Sequence, residues 1–122
     1  MKQIIPLISL LALLNSCYYD SEDVLYGVDS CDTESLSYAN DIAAIINAHC
    51  TSCHSGETPS GGLSLVAHVD VSASVLNATA DGLIDRIERI EGESGAMPTS
   101  YTLTQCQIDQ INAWAEQGAL NN

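Results

Sequence analysis

Five consecutive residues, Cys50-Thr51-Ser52-Cys53-His54, bring two thiols and an imidazole together at close spacing. On a helical turn, positions i, i+3 and i+4 share one face, so these three side chains address a single object. Two thiols can add across two double bonds of one planar ligand, and the adjacent imidazole can then take an axial position on a metal at its centre. Cys-x-x-Cys-His is the attachment sequence for c-type haem, whose two vinyl groups and iron meet that description. Two other chemistries compete. A thioredoxin-like redox pair wants a βαβ context and a Cys at a helix start, and neither is visible. A zinc site wants a second ligand pair at matching spacing, and the chain otherwise offers only isolated Cys31, Cys106, His49 and His68.

The elements that must position this motif are helical. Ile42, Ile45, Ile46 and His49 fall on one stripe, with Ser37 or Asn40 available as N-cap, which predicts a helix over 39–50 leading into Cys50. Residues 55–62 are dense in turn formers and read as a loop. The stretch 63–71 fits either extended chain or a short helix. Leu83, Ile84, Ile87 and Ile90 predict a second helix over 81–91 with Asp81 as cap, and residues 91–100 form a further loop. Thr104 and Gln107 have the spacing of a capping box, with Leu103 and Ile108 able to form a hydrophobic staple. Ile108, Ile111, Trp114 and Ala115 then give the buried stripe of a last helix, and Gly118 its terminator. The expectation is an all-α fold of about three main helices and long loops, with no internal repeat.

Composition limits what else the chain can be. Its 122 residues allow one domain, with no Phe and a single Trp to fill a core. Five Cys cannot all pair with one another. A formal charge of −13 excludes the basic patches that nucleic acid and anionic lipid surfaces require, so a charged protein partner would present a basic face. Lys2 followed by the apolar run Ile4–Leu14 is too short to span a bilayer and reads as a secretory signal. Leu14-Asn15-Ser16-Cys17 resembles the lipobox of bacterial lipoproteins, although Asn15 is bulkier and more polar than usual. That resemblance implies cleavage after residue 16 and lipidation of Cys17; the alternative is an ordinary leader with a free Cys nearby. Tyr18 in place of Asp implies an outer-membrane anchor facing the periplasm or the cell surface. Residues 17–36 are acidic, Ser-rich and aperiodic and read as a tether, with a reach of about 20 Å between Cys17 and Cys31 if flexible. The domain proper is then 37–122.

The order of these parts resembles a class I cytochrome c domain, of the small monohaem kind found in bacterial lipoproteins, over about residues 37–119. The resemblance rests on the helix into Cys50-x-x-Cys53-His54, the Gly-rich loop after it, a middle helix, the Met97-Pro98 loop, and a last helix with Trp114 and Gly118-Ala119. It implies one covalently attached haem c, with Cys50 and Cys53 as thioethers and His54 and Met97 as the axial iron ligands. Met97 is the only Met besides the initiator, and it lies in a Gly-flanked loop rather than on a helix stripe. His68 is the rival distal ligand, and His49 a weaker one. The Pro59 carbonyl is the expected acceptor for His54 Nδ1. The chain departs from the family in having Ile where an aromatic residue usually packs the first helix on the last, which leaves that contact to Ile45, Ile46 and Trp114. It also lacks a basic rim, with only Arg86 and Arg89 after the leader.

With Cys17, Cys50 and Cys53 assigned, Cys31 and Cys106 remain, either as a disulfide or as two buried thiols. An oxidising compartment favours the bridge. The resemblance implies a monomeric electron carrier, not an enzyme, that makes brief contacts with redox partner proteins. Its rivals are a haem enzyme or sensor with a labile distal site for peroxide or a diatomic gas, and a subunit whose haem is structural. In each case the porphyrin supplies core volume that the side chains lack, so the haem-free chain should be largely unfolded.

Overall fold

The structure is a computed structural model and describes residues 31–122; Cys17, the leader and the tether up to residue 30 lie outside the described residues. Four α-helices and no strand occur among the described residues, so this part of the chain is all-α. None of these helices is long and apolar enough to cross a membrane.

A π-helical turn, Tyr38–Ile42, runs directly into α1, Ala43–His49. Ser37 is its N-cap, its Oγ accepting from Asn40 N–H at 3.3 Å. The first amide groups of the turn are satisfied from far along the chain: Tyr38 N–H donates to Asn122 Oδ1 at 3.0 Å and Ala39 N–H to the Asn122 carbonyl at 3.0 Å. Ile42, Ile45 and Ile46 are buried on the inner face. The undecided stretch divides: backbone is extended at Leu63 and Ala67, and α2 follows as His68–Val75, burying Val71 and Val75.

The middle helix, α3, is Leu83–Glu88 and therefore shorter than the predicted 81–91. Its cap is Gly82, because Asp81 turns its carboxylate to Arg86 at 2.7 Å. The backbone leaves the helix at Arg89, and Ile90 is 72% exposed instead of continuing the apolar face.

The last helix, α4, is Gln105–Glu116 and carries the predicted capping box. Gln107 N–H donates to Thr104 Oγ1 at 3.3 Å and Thr104 N–H to Gln107 Oε1 at 3.0 Å, while Leu103 and Ile108 are both buried beside it. At the other end Gly118, with φ +97°, reverses the chain. Gly118 N–H then bonds the Ala115 carbonyl and Ala119 N–H the Trp114 carbonyl, closing a Schellman motif over buried Ala119 and Trp114.

Helix α4 is the hub, packing against the π turn, α2 and α3. Trp114 is fully buried, with its Nε1–H donating to the Leu120 carbonyl at 3.1 Å. The aromatic partner missing from α1 is supplied by Tyr38, whose ring centre lies 5.5 Å from that of Trp114 and 4.7 Å from that of His68. The contact between the first helical segment and α4 thus includes Tyr38, which the expected set of Ile45, Ile46 and Trp114 left out.

The compact unit begins at Cys31, ahead of the expected boundary at 37. Leu36 is buried, and its N–H donates to Gln117 Oε1 at 3.1 Å. Gln117 Nε2 donates to the Thr33 carbonyl at 2.8 Å and Gln110 Nε2 to the Asp32 carbonyl at 3.2 Å. Cys31 and Cys106 are bonded, S–S 2.09 Å, so 31–36 lie along α4 and are not tether. A single Leu and a single Cys do this inside a stretch whose average composition is that of a linker.

Candidate functional site

The chain continues past α1 for one more turn. The Cys50 carbonyl accepts from both Cys53 N–H at 3.2 Å and His54 N–H at 2.9 Å, which sets Cys50, Cys53 and His54 on one face of that turn. The loop beyond folds back on it: Ser60 N–H bonds the Cys53 carbonyl at 2.9 Å, and Leu65 N–H bonds the His54 carbonyl at 2.8 Å.

This return brings the Leu63 carbonyl to 3.1 Å from His54 Nδ1. A carbonyl can only accept, so Nδ1 carries the ring proton and the neutral ring presents a bare lone pair at Nε2. That is how metal-binding histidines are commonly held. The expected acceptor, Pro59, is not the partner: His54 Nδ1 meets the Leu63 carbonyl instead, and the Pro59 carbonyl accepts from Gly62 N–H at 2.9 Å. Proline is the more visible residue in the sequence, but the backbone path of the Gly-rich turn brings Leu63 to the ring.

Cys50, Cys53, His54 and Met97 all line one cavity of about 640 Å³. Its apolar wall is Leu63, Leu65, Leu83 and Ile87, and its volume falls in the range of about 300–1,000 Å³ usual for cofactor sites. Cys50 and Cys53 are free thiols. Cys53 is exposed, while burial pushes the half-buried Cys50 thiol up from 9.0 to about 11, so at neutral pH it is protonated.

Met97 reaches the cavity on a loop held by α3. Its N–H donates to the Arg86 carbonyl at 2.9 Å, and its peptide bond to Pro98 is cis. Arg86 Nη1 donates to the Gly95 carbonyl at 3.1 Å, and Arg89 Nη1 to the Ser94 carbonyl at 2.6 Å. Each guanidinium is also paired, Arg86 with Asp81 and Arg89 with Asp85. Gly95, with φ +81°, sits so close that a Cβ there would collide with both guanidinium groups. The two arginines are thus a clamp on the Met97 loop. Their basic side chains were visible in the sequence, whereas their targets are backbone carbonyls, which no residue type announces.

The other histidines have protein partners. His68 Nε2 bonds the Ala119 carbonyl at 2.9 Å, its ring packs edge-on to Tyr38 and Trp114, and it does not line the cavity. His49 does line it, but both its nitrogens are engaged, by Tyr101 Oη and Gln107 Nε2 at 3.0 Å each. Among the described residues no group of three or more His, Cys, Asp or Glu side chains is arranged so that it could hold a metal ion by itself.

The donor set suits a porphyrin with a central iron. Two free thiols and an imidazole with a bare Nε2 sit on one turn, and a thioether opens onto the same apolar volume. No family model, characterised protein or solved structure matches this chain.

Proposed function

We propose that this protein is a c-type cytochrome, a lipid-anchored carrier of single electrons with one covalently attached haem. The observation that carries this reading is the meeting of Cys50, Cys53, His54 and Met97 at one cavity, with His54 fixed in the tautomer that leaves Nε2 free. Cys50 and Cys53 would hold the porphyrin through thioethers, and His54 Nε2 and Met97 Sδ would hold the iron. The bound haem supplies the ferric/ferrous couple.

What the chain itself does is hold and shield. The Leu63 carbonyl orients His54 and raises its basicity as a ligand, and the arginine clamp keeps the Met97 thioether at the cavity wall. Leu63, Leu65, Leu83 and Ile87 exclude water from one side, which favours the less charged ferrous state. A cytochrome c-like fold accords with the helix order and with α4 packing on the start of the first helical segment. The anchor at Cys17, the outer-membrane location and a partner with a basic face belong to the same proposal and rest on the sequence.

Spectroscopy of the protein coexpressed with haem-maturation machinery tests this. The expected result is a covalent c-type spectrum, a Met-to-iron charge-transfer band that Met97→Ala abolishes, and no response of the wild type to carbon monoxide. A wild type that binds carbon monoxide readily favours the sensor or enzyme reading instead. A chain that matures without haem overturns the proposal.

A further inference from the structure

Helix α2 is apolar on two sides. Its inner face buries Val71 and Val75, yet Val69 and Leu76 are 68% and 57% exposed on the outer face, with Ala73, also exposed, between them. At 3.6 residues per turn these three fall within an arc of about 60°, and exposed Val66 precedes them on the approach to the helix. Polar groups are kept off this stripe. Ser72, beside it, donates its hydroxyl back to the Val69 carbonyl at 3.1 Å. Residues 58–80 carry a single formal charge in a chain of net −13, and that charge, Asp70, lies about 100° round the helix from Val69. Among the described residues, three of the seven exposed large apolar side chains thus share one short, almost uncharged stretch.

We propose that this face of α2 rests in the surface of the membrane that holds the lipid anchor, as a second and shallow contact of the protein with the bilayer. The inference rests on the anchor at Cys17 proposed above. A basic protein partner needs carboxylates, and the stripe offers none. A second copy of the chain fits no better, because a helix of eight residues is about 12 Å long and falls short of the roughly 800 Å² that each side of a stable dimer buries. A lipid surface asks for less. Once the anchor is inserted, the stripe meets the bilayer as part of the same molecule, so a patch too weak to bind from solution is enough to stay down. The reach also suffices: the chain from Cys17 to Cys31 spans about 20 Å if flexible. Cys31 is bonded to Cys106 at the start of α4, and α4, against which α2 packs, is itself only about 18 Å long. A nearly uncharged face is moreover the one that such an acidic chain can bring against anionic headgroups without repulsion. Ser74, on the flank of α2, lines the same cavity as His54 and Met97, so the contact would hold that cavity beside the membrane.

The test uses the lipid-modified, haem-loaded protein reconstituted in phosphatidylcholine vesicles. There Cys17 carries lipid, Cys50 and Cys53 carry the haem, and Cys31 and Cys106 are bridged, so Ala73→Cys provides the one thiol for a nitroxide label. The expected electron paramagnetic resonance result is a label that collides readily with oxygen, which concentrates in lipid, and loses its collisions with a water-soluble nickel chelate. Adding Val69→Asp and Leu76→Asp should restore the chelate collisions while the haem spectrum stays that of the wild type. A label open to the chelate in the anchored protein overturns the inference. So does dipolar broadening between labels, which puts a second copy on the face. A label equally shielded in the Asp variant is covered by the protein's own chain, and that overturns it too. A protein recovered without lipid on Cys17 overturns the anchored reading and this inference together, whereas an anchored, haem-loaded protein whose stripe stays in water overturns the inference alone.

Discussion

Single atoms decide the chemistry of this site: the Leu63 carbonyl selects the His54 tautomer, and the amide of Gln107 selects that of His49. Tyr38 shows the same dependence in its acidity. Burial raises its hydroxyl above the ordinary 10.0, and the negative charge of Asp70 adds to the effect. A phenol whose folded value is raised keeps its proton in the native state after the unfolded chain has lost it. Its contribution to stability is therefore complete below about pH 10 and disappears as pH rises through the higher folded value. Denaturant unfolding of the haem-loaded protein between about pH 8 and 11 should show stability falling at the alkaline end, with a shallower fall in Tyr38→Phe. At this scale the Cys50–His54 spacing was legible because one turn of backbone fixes it. Leu63, Tyr101 and the Tyr38–Trp114 contact were not, because each depends on where a distant stretch of chain returns.

Among the elements, α4 was the most readable, since its cap, staple and terminator are all written within a few residues of its ends. Helix α3 was over-extended because Ile90 continues the apolar spacing, while the backbone has already turned out at Arg89 to close on the next loop. That loop yields the prediction for this scale. Gly95→Ala puts a side chain at φ +81° and drives a Cβ against both guanidinium groups. The positive φ alone costs about 1 kcal/mol or more. The variant should melt lower than wild type and, on the proposed ligation, lose the Met-to-iron band and begin to bind carbon monoxide while keeping its covalent haem. Thermal melts and carbon monoxide difference spectra on one sample read both effects.

For the molecule as a whole, helix class was legible from periodicity, while the extent of the compact unit was not, because Cys31–Leu36 has the composition of a tether and the contacts of a core strap. The bridge from Cys31 to Cys106 closes a loop with a sequence separation of 75. By the chain-entropy model its removal should cost about 4 kcal/mol. Urea unfolding of the haem-loaded Cys31→Ser/Cys106→Ser double variant should show that loss as a lower midpoint; an unchanged midpoint would mean the remaining contacts along α4 already hold the strap. The arginine clamp has the opposite reach. Its bonds, from Arg89 to Ala80 and Ser94 and from Arg86 to Asp81 and Gly95, join residues no more than nine apart. Loops of about ten residues close in roughly 10–100 ns, whereas Leu36 must find Gln117 across a separation of 81. Order of assembly follows from that difference in distance: the Met97 loop can take shape while Leu36 and Gln117 are still searching for one another.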